Sequence, residues 1–177
     1  MNNKIFNPFV QIAGFKSLLI GVSGLILTTF TAFKTGTHFN GLLNIDFAKD
    51  SGFWVYLLEN CSQWIILSIF FYLAGLLLSK SRVRLIDILG TTLFSRIPLV
   101  ITPLVRTIPV FQSFAFGSAT MYSIIGIYLI SLVWTIVLLF NAFKVSGNLK
   151  SVQLIVSFIA SMVLTEVLTK ICLYKLI

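Results

Sequence analysis

Chemistry in this chain would have to come from a few polar groups set among apolar residues. The acids that fall inside long apolar runs are Glu59, Asp87 and Glu166, and the base that does so is Arg96. Charges at such positions are costly in lipid and usually pair with one another, bind a solute or hold backbone. Asp87 stands in the first turn of its run with Arg84 three residues before it, which suits a structural pair and the helix dipole. Glu166 has Lys170 four residues on, the favourable order for a helical pair. Arg96 is far from either end of its run and two residues before Pro98. It is expected to pair with Glu59 or Glu166 across a bundle, or to satisfy carbonyls freed by Pro98 and Pro103. A role for it in binding a lipid headgroup or solute is the sharper alternative.

Other chemistries lack their residues. The single histidine, His38, falls in a polar loop outside the apolar runs. No paired glutamates and histidines suggest a metal site, and no Gly-x-Ser-x-Gly turn, phosphate loop or dinucleotide fingerprint is present. Cys61 and Cys172 lie singly inside apolar runs and read as small buried hydrophobes. The chain is therefore not expected to be an enzyme or to hold a cofactor or metal.

The elements that must position these residues follow from composition and hydropathy. Of 177 residues 58% are hydrophobic and 10% charged, against about a quarter charged in soluble domains. Five acids and thirteen bases cannot cover a water-facing globule, so most of the outside meets lipid; the mean hydropathy of +1.01 agrees. The bases lie singly at the ends of apolar runs rather than on one face with interleaved aromatics, so the net charge of +8 suits lipid headgroups and not nucleic acid.

The apolar runs predict an all-α polytopic bundle of about five transmembrane helices in one domain, 1–177, with spans near 17–33, 53–78, 85–110, 119–143 and 152–173. A cleaved signal peptide is not expected, because Phe30-Thr31-Ala32 is a poor cleavage site. Trp54, Tyr56 and Trp64 are expected toward a membrane interface. The third run contains Pro98, Pro103 and Pro109, each of which removes a helix hydrogen bond. It should be kinked or broken, with its broken part facing protein or water, because lipid cannot satisfy the freed carbonyls. The loop Thr35–Gly52 should carry at most a short surface turn.

Stripes of small and polar residues supply inward faces. They are Ser17, Gly21, Gly24, Thr28 and Ala32 in the first span, Asn60, Trp64, Ser68, Tyr72, Gly75 and Ser79 in the second, and Ser157, Ser161, Thr165 and Thr169 in the fifth. Packing explains them; lining a path through Asn60, Gln63, Ser68 and the fifth-span stripe is the alternative. With the N-terminus in the cytoplasm, the cytoplasmic segments hold Lys4, Lys16, Lys80, Arg82, Arg84, Lys144 and Lys150, and the far side Lys34, Lys49, Arg106, Lys170 and Lys175. The excess favours the N-terminus in the cytoplasm, and five spans put the C-terminus on the opposite side. The basic turn Lys80, Arg82 and Arg84 is expected to face headgroups.

The chain resembles the small prokaryotic branch of the YIP family, the Ypt- or Rab-interacting proteins. The resemblance is carried by Ile5-Phe6-Asn7-Pro8-Phe9, the basic turn after the second span, Ile86-Asp87-Ile88-Leu89-Gly90-Thr91, Arg96-Ile97-Pro98 and Pro103. It implies a five-span domain with a cytoplasmic N-terminus, in the cytoplasmic membrane of a prokaryote. It also implies a scaffold or adaptor that binds lipids or other membrane proteins, or associates with itself. The long soluble N-terminal region of eukaryotic relatives is missing, so GTPase binding is not expected. A small transporter or channel component is the alternative.

Overall fold

The computed structural model of the chain describes residue 5 and residues 7–48, 51–79, 81–112 and 117–176, without the side chains of 175 and 176. The expectations placed on Lys4, Phe6, Lys49, Lys80 and the Lys175 side chain lie outside the described residues. Five segments are long and apolar enough to cross a membrane: Phe15–Thr35, Phe53–Leu78, Leu85–Val105, Ala119–Ser146 and Ser151–Tyr174. The chain is an all-α bundle and an integral membrane protein.

Helix α1 (Phe15–Thr35) ends at Gly36, whose left-handed backbone (φ 63°) lets its N–H donate to the Ala32 carbonyl. Helix α2 (Phe53–Leu78) is 26 residues, about 39 Å at 1.5 Å per residue. The third span is broken, as its prolines dictate. Helix α3 (Leu85–Ser95) stops before Ile97-Pro98, a 3₁₀ turn covers Ile97–Val100, and α4 (Ile101–Val105) resumes the span. The residue before a proline avoids the α region and Pro98 has no N–H to donate, so the regular ladder cannot run through. Helix α5 (Ala119–Ser146) opens at Ser118, whose hydroxyl accepts from the Met121 N–H at 3.2 Å. Helix α6 (Ser151–Leu176) completes the bundle.

The broken span is the centre. Some 67% of its most apolar 18-residue stretch is buried, against 28–33% in the other four spans. Lipid is thereby kept from the interrupted ladder, as an irregular backbone at membrane depth requires. It packs on α1, α5 and α2, while α6 leans mainly on α2. The inward stripes explain the closeness. A Cβ at Gly90 of α3 would stand 2.6 Å from the Gly14 carbonyl oxygen and 2.9 Å from the Leu18 nitrogen; one at Gly21 of α1 would stand 2.9 Å from the Phe94 nitrogen. Ser17, Gly21, Thr28 and Ala32 are buried, as are Ser157, Ser161, Thr165 and Thr169. Ser17 lies by Gly90, Gly21 by Leu93 and Gly24 by Ile97, so α1 and α3 run parallel, as alternate spans must. Phe71, Phe143 and Phe158 form an aromatic knot between α2, α5 and α6, with Phe71 and Phe143 stacked at 4.2 Å.

The loop after α1 differs from the expected surface turn. Its strands β1 (Thr37–His38) and β2 (Asp46–Phe47) pair antiparallel, Thr37 with Phe47 and His38 with Asp46. Thr37, His38, Phe39 and Leu42 are buried. Of the three aromatics expected toward an interface, Trp54 is 71% exposed. Tyr56 is fully buried, and the half-buried Trp64 donates its indole N–H to the Leu89 carbonyl at 3.0 Å. Cys61 and Cys172 are free thiols.

Candidate functional site

Glu59 and Gln63 are four residues apart near the start of α2, hence one above the other on its inward face. Both are fully buried. Together they grip the backbone of one loop residue. The Phe39 N–H donates to Glu59 Oε2 at 3.0 Å, and the Gln63 amide N–H donates to the Phe39 carbonyl. The other Glu59 oxygen takes His38 Nδ1 at 2.7 Å. The other end of Gln63, its Oε1, accepts from the Arg96 guanidinium at 2.6 Å. A continuous polar chain thus runs from the loop histidine through α2 to the break in the third span.

Three features enclose this chain. The His38 ring stacks on Tyr56 with centroids 4.2 Å apart. Arg106, just beyond α4, donates to the Thr37 hydroxyl at 2.8 Å and lies 4.3 Å over the Phe47 ring. Thr37 in turn shares a 2.9 Å hydrogen bond with Thr35 at the end of α1. On the far side of the loop, Glu166 of α6 accepts from the Leu43 N–H at 3.0 Å and pairs with Lys170 at 3.0 Å. Gly41 is pressed so close to Glu166 that an added Cβ would sit 2.8 Å from the carboxyl carbon.

These contacts correct the expected pairing of Arg96 with Glu59 or Glu166. Glu59 is taken up by the Phe39 N–H and the His38 ring, and Glu166 by the Leu43 N–H and Lys170. Arg96 instead bonds the neutral Gln63, and its second terminal nitrogen is buried with no protein partner. It borders a void of about 10 Å³ with Asn60, Thr28 and Gly24, room for roughly one water. Asn60 is spent locally, its amide donating to the Tyr56 carbonyl at 2.9 Å. Asp87 forms no ion pair with Arg84; it is half-buried at the opposite end of the bundle, beside Arg82, Arg84, Ser81 and Asn148. Pro98 and Pro103 are buried, and Pro98 lines an outer recess with Trp134.

The sequence reading gave no site role to His38, Thr37 or Arg106 and placed Gln63 only on the alternative polar path. His38 was expected outside the bundle, yet it is 6% exposed. The available signal was the Glu59/Gln63 spacing, which puts an acceptor pair and a donor on one buried face beside a loop rich in backbone N–H groups.

Chemically, the arrangement orders a loop. Glu59 fixes one nitrogen of His38, and the other, Nε2, is buried against protein with no partner. The nearby Thr35 and Thr37 hydroxyls are engaged with each other and with Arg106. Fold and site together define a polytopic α-helical membrane protein whose buried polar side chains clamp the loop between α1 and α2 onto the bundle. Compared with family models, with curated proteins and with solved structures, the chain finds no match.

Proposed function

We propose that the chain is a closed, non-conducting scaffold of the membrane, a YIP-like adaptor that binds lipids or other membrane proteins. The observation that carries this reading is how the polar seam is filled. The aromatic knot of Phe71, Phe143 and Phe158 is packed just beyond Ser68, where a path through α2 and α6 would have to pass. Ser157 and Thr165 turn their hydroxyls back to their own helix at 2.5 and 2.7 Å. Gln63 is fully engaged between Phe39 and Arg96. Such a core favours fixed shape over alternating access. The YIP resemblance fits the five-span count and the broken central span. The basic loops favour a cytoplasmic N-terminus and a C-terminus on the other side, in the cytoplasmic membrane of a prokaryote.

Single cysteines at Ser68, Ser157, Ser161 and Thr165, in a chain with Cys61 and Cys172 replaced by alanine, test the reading. A membrane-impermeant maleimide should leave all four unmodified from either side while labelling a cysteine at Gly117. Modification at successive positions along the stripe would instead mean a solvent path and move a transporter or channel role to the front.

A further inference from the structure

We infer that the outer face formed by the N-terminal strap and α5 is an interface, occupied by a second copy of this chain related by a two-fold axis along the membrane normal. The strap, Ile5 with residues 7–14, has no regular structure beyond the 3₁₀ turn Pro8–Val10. It lies against α3 and α5, with Phe9 1% exposed, set edge-on to Phe94 at 5.6 Å and packed on Leu138 and Ala142. Further along, the Trp134 indole donates to the Ile5 carbonyl at 3.4 Å. Trp134 is 12 residues from Ser146 and 15 from Ala119, near the middle of α5 and so of the membrane. The strap thus carries irregular backbone to that depth on the outside of the bundle, with Ile5 61% and Val10 66% exposed.

Irregular backbone persists at hydrocarbon depth only where it is covered by protein or faces water. Lipid is therefore the wrong neighbour for the strap. Water is excluded by the surroundings. Beside the strap lies a recess of about 440 Å³, walled mainly by Phe94, Ile97, Pro98, Ile101, Trp134 and Leu138. Among its described lining residues none is charged, and the one polar side-chain group, the Trp134 indole, is given to Ile5. A water there lacks the polar partners it needs. Protein is the covering that remains. The strap shields the break at Pro98, but it moves the irregular backbone one layer outward, and a neighbouring molecule supplies the next layer.

A two-fold interface needs a patch that complements itself. Here a hollow and a ridge able to fill it stand side by side. Ile130 is one turn from Trp134 on the same stripe of α5 and is 72% exposed; Val133, also exposed, is on the ridge beside it. Each copy's Ile130 enters the hollow of the other, and Ile5 and Val10 close the rim. No charge has to be buried or matched across the contact, which disfavours a partner selected by charge. The outer face of α6 differs in kind: it is unbroken helix bearing apolar side chains, an ordinary lipid surface.

This deepens the scaffold reading, on which it rests for a closed bundle, by naming the face through which the scaffold joins; cysteine labelling tests the closure and cross-linking tests the face, so either can fail alone. The purified full chain, part of it isotope-labelled, is reconstituted in phosphatidylcholine liposomes with a benzophenone amino acid in place of Val133. Irradiation should join labelled to unlabelled chains, with the cross-links on residues 94–101 or 8–10 of the other copy. The same probe in place of Val163 on α6 should give lipid adducts only. Ile130→Ala should lower the dimerisation constant, read by energy transfer between tagged copies, by about thirtyfold, since the two-fold axis counts the lost side chain twice at about fivefold each. Filling the hollow with Ile101→Trp should abolish the dimer while the monomer elutes as a folded species; Ile130 is exposed in the single chain, so its truncation decides the matter where the tryptophan variant does not fold. Lipid adducts alone from position 133, cross-links spread equally onto α6, or an unchanged constant in Ile130→Ala would overturn the interface.

Discussion

Glu59→Leu is the substitution that tests the loop clamp most directly. Leucine is apolar, one atom shorter than glutamate, and accepts nothing. The Phe39 N–H and His38 Nδ1, both buried against Glu59, lose their acceptor together. An orphaned buried polar group costs about 1–3 kcal/mol, partly offset because a desolvated carboxylate is no longer buried. The expected net loss is about 2–4 kcal/mol. For a chain of this size that lowers the melting temperature by roughly 10 °C. Glu59→Gln should lose about half as much, since one amide oxygen can still serve the Phe39 N–H. Thermal unfolding in detergent reads the global effect, and hydrogen exchange at the Phe39 amide reads the local one. A melting temperature within about 1 °C of the parent, together with undiminished protection of that amide, would refute the clamp.

Other outcomes follow from the same packing. Arg96→Ala should destabilise by about 2–4 kcal/mol, because it opens a cavity and strips Gln63 Oε1 of its donor; adding Gln63→Leu should recover less than that loss, since the Phe39 carbonyl is then orphaned, and denaturant unfolding in micelles decides it. Gly90→Val should abolish the monodisperse folded peak on size exclusion, since its Cβ would lie 2.6 Å from the Gly14 carbonyl oxygen. Glu166→Gln, at a side chain 18% exposed and paired with a largely exposed Lys170, should shift stability by no more than about 1 kcal/mol, the contrast with Glu59 being read in the same melt. Topology reporters at Asp46 and Gly117 should fall on one side and those at Arg82 and Gly147 on the other; a shared side for Asp46 and Arg82 would contradict the parallel run of α1 and α3.

Much of the frame was legible because lipid constrains it so tightly. The hydropathy runs give the second span its observed limits, Phe53 and Leu78, since an apolar helix ends where the chain meets water. The prolines announce both the break at Ile97–Val100 and its enclosure, because an unpaired carbonyl has no other refuge. Gly21 and Gly90 show why the small-residue stripe faces inward. The partner of Arg96 was not legible. Charge complementarity suggests a carboxylate, but Glu59 and Glu166 are nearer to loop N–H groups that have no other acceptor, and the guanidinium is left to an amide. His38 was hidden for a related reason: a polar, glycine-containing loop reads as solvated, and only the i, i+4 spacing of Glu59 and Gln63 hints that it is drawn in. Tyr56 reads as an interfacial aromatic until the loop it supports is placed against it.

The enclosed third span also bears on how the protein is made. Left alone in a bilayer, a segment with Arg96 near its middle faces about 2.5–3.5 kcal/mol for that residue, with a backbone interrupted at Pro98. Its hydropathy, 1.6 against 2.4 for α5, leaves less to offset the cost. The residues that relieve it come earlier in the chain: Gly21 and Gly24 of α1 receive its side chains, and Gln63 of α2 receives Arg96. The two preceding helices thus supply one side of its cradle and α5 the other. The only span with a charge near its middle and a break in its backbone is thus received by surfaces that lie earlier in the chain.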